Sequence, residues 1–376
     1  MSFLLCNPAV CVINDEYEIL LNATANGLFS VQIGQNVYYP ENSGVLSSEK
    51  KTAKIRVKQA VLDKEKKYTV LFKEAIDRKG YFSVIGEQQS QEYAFKPLEK
   101  TENIHIYHIA DVHYGFTIAK QTAKYFGDDT DLFVFNGDIG EVEKEEHYLE
   151  TLKFLGEVAK GEIPMFFVRG NHDTRGKLAE KFVEYFPANG YETFYEFKIG
   201  CLQGIVFDCG EDKVDDHMAT GYPNPDVYAG VNVFQDYRQR ELRWLQERTL
   251  DKDKITFAIG HICPCMTTFK AGNDFDIERD TYTLWNKELE RLGVSFMLCG
   301  HLHRAFILDE KDERNLIPHT YPVIFGSQLC NEKYQGGAVS VDKFYGAALT
   351  LNSDKVEVSF VDQNFEPMET TVLKLK

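Results

Sequence analysis

No stretch of this 376-residue chain approaches the eighteen or so consecutive apolar residues of a membrane-crossing helix. The opening residues, Met-Ser-Phe-Leu-Leu-Cys-Asn-Pro, lack the basic segment and long apolar run of a secretory leader. A cytoplasmic protein with no membrane partner is expected. Positive charge is in deficit: 42 Lys and Arg against 58 Asp and Glu leave a formal charge of −16. That balance makes nucleic acid an unlikely partner, because binding it needs a basic face. The eight cysteines are scattered, and no second closely spaced pair accompanies Cys263 and Cys265. A cysteine-held metal is therefore disfavoured, and free, mostly buried thiols are expected. Internal repeats and low-complexity segments are also missing. What remains is an ordinary globular composition, 43% hydrophobic and 27% charged, in a chain long enough for two domains.

Residues 1–97 read as all-β. The runs 16–22, 28–33, 53–58 and 68–72 are rich in β-branched and aromatic residues, and several alternate apolar with polar. Gly34-Gln35-Asn36, Pro40-Glu41-Asn42 and Arg78-Lys79-Gly80 supply turns. The pattern suggests an immunoglobulin- or fibronectin-like β-sandwich. The Cys…Trp…Cys hallmark of antibody domains is absent, since both tryptophans, Trp244 and Trp285, lie far downstream. Residues 96–101 read as a linker. From 103 to 376 strands alternate with helices, which predicts an α/β (α+β) domain. Helices are expected at 145–160, 177–186, 235–250 and 281–292.

In this second part, five predicted strands end in side chains of metal-ligand type. Residues 106–110 lead to Asp111-Val112-His113, and 132–135 to Asn136-Gly137-Asp138. Residues 165–168 lead to Gly170-Asn171-His172-Asp173, 255–259 to Gly260-His261, and 295–299 to Gly300-His301-Leu302-His303. The carboxyl ends of strands are where open α/β sheets place ligands. Glycine before the polar residue allows a sharp turn and close approach. Four imidazoles besides His172, two carboxylates and one amide oxygen are too many donors for one ion and suit two. A nitrogen and oxygen set without thiolate fits Mn, Fe or Zn. Such a pair clamps both the attacking and the leaving oxygen of a phosphoryl displacement.

The ordered set Asp-x-His, Gly-Asp, Gly-Asn-His-Asp, Gly-His, Gly-His-x-His resembles that of the calcineurin-like metallophosphoesterase superfamily, over about residues 103–330. The resemblance implies a four-layer αββα sandwich, into which the trailing strands at 337–362 fit. A β-sandwich ahead of it resembles the layout of purple acid phosphatases. Those enzymes bind metal through a tyrosine and lack the first-motif histidine, whereas this chain keeps His113. Residues 170–176 and 210–213 also resemble the Gly-Asn-His-Asp-Thr-Arg-Gly and Gly-Glu-Asp-Lys segments of bacterial members. By position, the resemblance gives one ion to Asp111, His113, Asp138 and His303. The other goes to Asp138, Asn171, His261 and His301, with Asp138 bridging. His172 would sit beside the leaving group and Asp173 would orient it. Arg175 is a candidate for a phosphate oxygen. Where the family often has Asp three residues after the bridging Asp, this chain has Glu141.

The implied activity is hydrolysis of phosphoric esters, as a phosphatase or phosphodiesterase, by in-line attack of a metal-held hydroxide on a small-molecule substrate. The rivals are a non-catalytic interaction module that keeps the fold and a nuclease of the same superfamily. Asp208 and Asp212 are candidates for orienting loops near the site, and Tyr222 and Tyr228 for lining a cleft. His105 and His108 read as packing residues, and His217 as exposed.

Overall fold

The computed structural model describes residues 2–140, 142–216, 230–265, 278–335 and 338–375. Glu141, His217, Tyr222 and Tyr228 lie outside them. In chain order the N-terminal part contains β1 (Ala9–Ile13), β2 (Glu16–Asn22), β3 (Gly27–Ile33), β4 (Asn36–Tyr38) and β5 (Thr52–Lys58). There follow α1 (Gln59–Glu65), β6 (Lys67–Asp77) and β7 (Val84–Ala94). The next part runs β8 (Ile104–Ile109), α2 (Phe116–Thr122), β9 (Leu132–Asn136), α3 (Glu145–Ala159), β10 (Pro164–Val168) and α4 (Phe182–Tyr185). It continues with β11 (Tyr195–Ile199), β12 (Leu202–Val206), α5 (Phe234–Gln246), β13 (Ile255–Ile259), α6 (Arg279–Arg291) and β14 (Phe296–Cys299). Short strands β15 (Phe306–Leu308), β16 (Val323–Phe325), β17 (Gln328–Cys330), β18 (Lys333–Gln335) and β19 (Ala338–Ser340) precede β20 (Lys343–Leu351), β21 (Lys355–Val361) and β22 (Pro367–Lys374).

Two large sheets carry the fold. One has the order β22-β21-β20-β8-β9-β10-β1-β2-β5, with β17 also pairing β20; the other runs β11-β12-β13-β14-β16-β15. Their central strands are mostly apolar because both faces are covered, and the period of two sorts each strand between two cores. Ile106, Val134, Phe166 and Val168 meet Phe197, Phe257, Ile259 and Leu298 between the sheets. The alternate residues Tyr107, Ile109, Phe135 and Phe167 pack outward with Leu152, Phe154 and Leu155 of α3. On the far side Ile205, Ala258 and Met297 pack with Leu242 and Leu245 of α5 and Trp285 and Leu289 of α6. The result is the expected helix–sheet–sheet–helix sandwich, with a β-rich N-terminal region.

The N-terminal region is built differently from a separate sandwich. β3, β4, β6 and β7 form their own four-stranded sheet, but β1, β2 and β5 extend the main sheet. β1 pairs in parallel with β10, with Val10 opposite Pro164 and Cys11 opposite Met165. Buried side chains of the small sheet, among them Val31, Tyr68, Val70 and Phe72, belong to the same core as the inner face of the main sheet. The boundary drawn at 97–103 from sequence therefore cuts through one continuous core. Residues 96–101, read as a linker, are strapped down: Lys96 N–H donates to Glu162 O at 2.8 Å, Leu98 is buried, and Lys100 Nζ lies 2.7 Å from Asp131 Oδ2.

The helix expected over 177–186 is shortened to a 3-10 turn at Ala179–Lys181 and one helical turn, α4. Pro187 follows, and it forces Phe186 into extended backbone (φ −120°, ψ 167°). None of the eight cysteines is in a disulfide. Among the described residues no helix is long and apolar enough to cross a membrane.

Candidate metal centre

β8, β9, β10, β13 and β14 run parallel within their sheets and end on the same edge of the sandwich. Each hands the chain to a short turn bearing one sequence motif. The two sheets meet closely here because glycines stand where side chains would collide. A Cβ on Gly170 would overlap the backbone N and Oδ1 of Asp138, and one on Gly137 would overlap the His261 ring. Asp111 (φ 55°), His113 (42°), Asp138 (55°), His301 (74°) and His303 (52°) all occupy the left-handed region. Each costs on the order of 1–2 kcal/mol for a residue with a Cβ. Strain of this kind survives only where the surrounding structure holds it, and five cases at one sheet edge mark a built site.

The expected ligands converge. One donor atom each from Asp111, His113 and His303 fall within 4.8 Å of one another, as do those of Asp111, Asp138 and His261, and those of His113, Asp138 and His172. His113 Nε2 faces His303 Nε2 at 3.2 Å, and Asn171 Oδ1 faces His301 Nδ1 at 3.0 Å. Asp111, His113, Asp138, Asn171 and His261 are buried. The His261 Nε2 is buried without a hydrogen bond, lying 3.1 Å from Asp138 Oδ2 but out of line for one. Lone pairs that face each other, and a buried ring nitrogen with no aligned donor or acceptor, are what a bound cation would satisfy. This donor set fits two ions.

Burial and charge act differently on the individual donors. Burial pushes the Asp111 carboxyl up to about 6, against the opposing pull of His261 and His303. Burial also lowers His113 to about 3 and His301 to about 4, which keeps both rings in the neutral form that ligates metal. At His261 burial acts downward, but the Asp138 and Asp111 carboxylates outweigh it and raise the ring to about 10. At Asp138 burial acts upward, and the His261 charge overrides it to hold the carboxyl well below its ordinary range.

Backbone donors hold the carboxylates. The His172 N–H donates to Asp138 Oδ1 at 2.8 Å, and the His301 N–H reaches both oxygens of Asp111 at 3.0 Å. Asp173, expected to orient His172, accepts from two backbone N–H groups. Its Oδ2 accepts from the Gly170 N–H at 2.8 Å and the Asp138 N–H at 3.0 Å, tying two ligand loops together. The partner of His172 is Arg175, whose Nη1 lies 3.2 Å from His172 Nε2. Arg175, a candidate for a phosphate oxygen, pairs here with acidic residues. Its Nε donates to Glu211 Oε2 at 2.6 Å, and its Nη2 to Glu211 Oε1 and to Asp212 Oδ1, the latter at 2.6 Å. Asp208 sits in the core against Arg169 Nη2 at 2.6 Å, which joins the end of β10 to that of β12. His105 and His108 are packing residues as expected: His105 stacks on Phe126, and buried His108 contacts Asn136 Nδ2 at 3.2 Å.

Several contributors were not singled out from sequence. Glu332 Oε2 lies 3.0 Å from His303 Nδ1. The backbone carbonyl of Asn136 accepts from His261 Nδ1 at 2.6 Å, while its side-chain amide donates across the sheets to Gly260 O at 3.3 Å and Leu298 O at 3.1 Å. Asn136 stood in view beside Gly137-Asp138. Glu332 had no local signal.

The model of the family described as calcineurin-like phosphoesterase matches residues 104–305. No curated protein matches the chain. Among solved structures, a purple acid phosphatase from seeds of yellow lupin (Lupinus luteus) is similar in fold. Its TM-score is 0.58 at 10% identity, covering 98% of this chain and 74% of that one. A predicted phosphoesterase of Streptococcus pneumoniae matches over 72% of this chain and 97% of its own, at 12% identity and TM-score 0.35. The anchor in the inner membrane complex of Plasmodium matches over 73% and 89%, at 14% identity and TM-score 0.40.

Proposed function

The chain belongs to the calcineurin-like phosphoesterase family, and from that premise we propose that it is a two-metal hydrolase of phosphoric esters. The observation that carries the reading is the convergence of buried carboxylate, amide and imidazole atoms from five strand ends, with His261 Nε2 left without an aligned partner. Asp111, His113, Asp138 and His303 would hold one ion, and Asp138, Asn171, His261 and His301 the other. When bound, the ions lower the pKa of water and neutralise charge developing on the phosphoryl oxygens.

The chain's own groups do the rest. Asp138, held by the His172 N–H, is fixed between both donor sets. His172 stands beside His113, ring centroids 4.8 Å apart, at the edge of the centre. Arg175 has no acceptor, so His172 Nε2 must accept from it, and the ring proton resides on Nδ1. In this reading the remaining ring proton, on Nδ1, would serve the leaving oxygen. Arg175 buttresses that ring, and its charge is balanced by Glu211 and Asp212. If His172 is not a ligand, a non-catalytic module would have no use for its bracing by Arg175. The net charge of −16 weighs against a nucleic-acid substrate.

The test is a panel of phosphomonoesters and diesters assayed on protein reconstituted with Mn, Fe or Zn, with metal content measured alongside. Two ions per chain and hydrolysis that vanishes in Asp138→Ala, together with both ions, are expected. Full loading with two ions and no turnover of any ester would refute the enzymatic reading.

A further inference from the structure

We propose that Glu332 and Asp212 are positioning residues, one for each ion of the centre: Glu332 aims His303, and Asp212 aims His301. The inference rests on the two-ion reading above. His303 Nδ1 lies 3.0 Å from Glu332 Oε2, and its other nitrogen, Nε2, turns inward to 3.2 Å from His113 Nε2 and 3.6 Å from Asp111 Oδ1. The carboxylate takes the Nδ1 proton as a hydrogen bond, which leaves the Nε2 lone pair facing one donor cluster. His301 is arranged the other way round. Its Nδ1 faces Asn171 Oδ1 at 3.0 Å, and its outer nitrogen, Nε2, looks toward Asp212 Oδ2 at 3.9 Å. At that distance there is no hydrogen bond, and on a neutral ring the carboxylate acts only on the N–H dipole.

Asp212 is held in place to do so. Its Oδ1 accepts from Arg175 Nη2 at 2.6 Å and from Lys213 Nζ at 2.5 Å, and its N–H donates to Glu211 Oε1 at 2.8 Å. The Gly-Glu-Asp-Lys segment thus joins the His172 side of the centre, through Arg175, to the His301 side. His261 uses a neutral anchor instead, the Asn136 carbonyl at 2.6 Å. Each of the two Gly-His-Leu-His rings therefore has its own outer carboxylate, from a different loop. Glu332 lies 29 residues from His303, in the turn between β17 and β18. Asp212 precedes its histidine by the interval from 212 to 301. Removing the outer partner of a ligating histidine costs about 10–100-fold in metal affinity.

The experiment titrates metal-free full-length protein with Mn²⁺ against a chelating indicator, for the parent, Glu332→Gln, Asp212→Asn and the double variant. Thermal unfolding of each metal-free protein is recorded in parallel. Glu332→Gln is expected to weaken one ion about 10–100-fold and spare the other, Asp212→Asn to weaken the other ion, and the double variant to weaken both. Metal-free unfolding should stay at the parent temperature for Glu332→Gln, and the charge-retaining Glu332→Asp and Asp212→Glu should recover part of the affinity. Single variants that bind both ions as tightly as the parent would overturn the inference, whether or not they melt earlier. So would two variants that weaken the same ion. A parent that takes up no Mn²⁺ would instead overturn the proposed function.

Discussion

Replacing Asp173 separates the two roles that a carboxylate next to His172 could have. In the structure its Oδ2 accepts two buried N–H groups, from Gly170 at 2.8 Å and Asp138 at 3.0 Å, and the residue is 2% exposed. Asp173→Ala leaves both donors without a partner, at about 1–3 kcal/mol each, so about 2–6 kcal/mol in all. With an unfolding entropy near 2.1 cal/mol/K per residue, the 376-residue chain loses about 1 °C for every 0.8 kcal/mol. The metal-free variant should therefore melt about 3–8 °C below the parent. Because the two N–H groups belong to the loops bearing Asn171 and Asp138, ion affinity should fall as well. Asp173→Asn keeps an acceptor oxygen and should show a smaller loss of both. The assays are calorimetric unfolding, metal titration, and turnover on esters with good and poor leaving groups. A variant that melts within about 1 °C of the parent, loads both ions normally and loses turnover only on the poor leaving group would refute this account. It would return Asp173 to the task of orienting His172.

His172→Gln should keep the fold and both ions and lose about 10²–10⁴-fold in kcat on an ester with a poor leaving group, with a much smaller loss on a nitrophenyl ester; equal losses on both would show that His172 is not the proton donor. Burial lowers His108 to about 3, so the unfolded chain takes up its proton first as pH falls below about 6.5, and stability contributed by the neutral buried ring is progressively lost between there and about 3. Metal-free parent should accordingly lose on the order of 2 kcal/mol more than His108→Gln between pH 7 and pH 5, read from denaturant midpoints at each pH; parallel pH profiles would contradict this. Deleting residues 1–97 removes β1 from beside β10 and strips one end of the shared core, so residues 98–376 alone should fail to unfold cooperatively. A soluble fragment with a sharp melting transition would show that the N-terminal region is an independent domain after all.

The strand ends were readable because each is a local signal: an apolar run, then in four of the five cases a glycine, then a ligand-type side chain, all within a few residues. Their helical partners α3, α5 and α6 were readable for the same reason, since periodicity over 13–15 residues identifies a buried face. β1 escaped notice because Ala9–Ile13 is only five residues long and buried on both faces, so it shows no alternation. Its insertion between β10 and β2 pairs residues about 150 positions apart, a choice that depends on the whole core and not on the segment. The strands of residues 16–58 carried the right pattern but not the information about which sheet they would join.

The centre divides along the same line. Residue types and order along the chain were enough to name Asp111, His113, Asp138, Asn171, His261, His301 and His303 as one group, because metal ligation limits which side chains can serve. Which residues hold those side chains was decided by folding. Asp173 reaches Asp138 and not His172, Arg175 is taken by Glu211 and Asp212, and Glu332 arrives at His303 from a distant turn. A hydrogen bond is decided by distances of a few tenths of an ångström and by direction, and neither exists until the two sheets have packed and brought their loops to one edge.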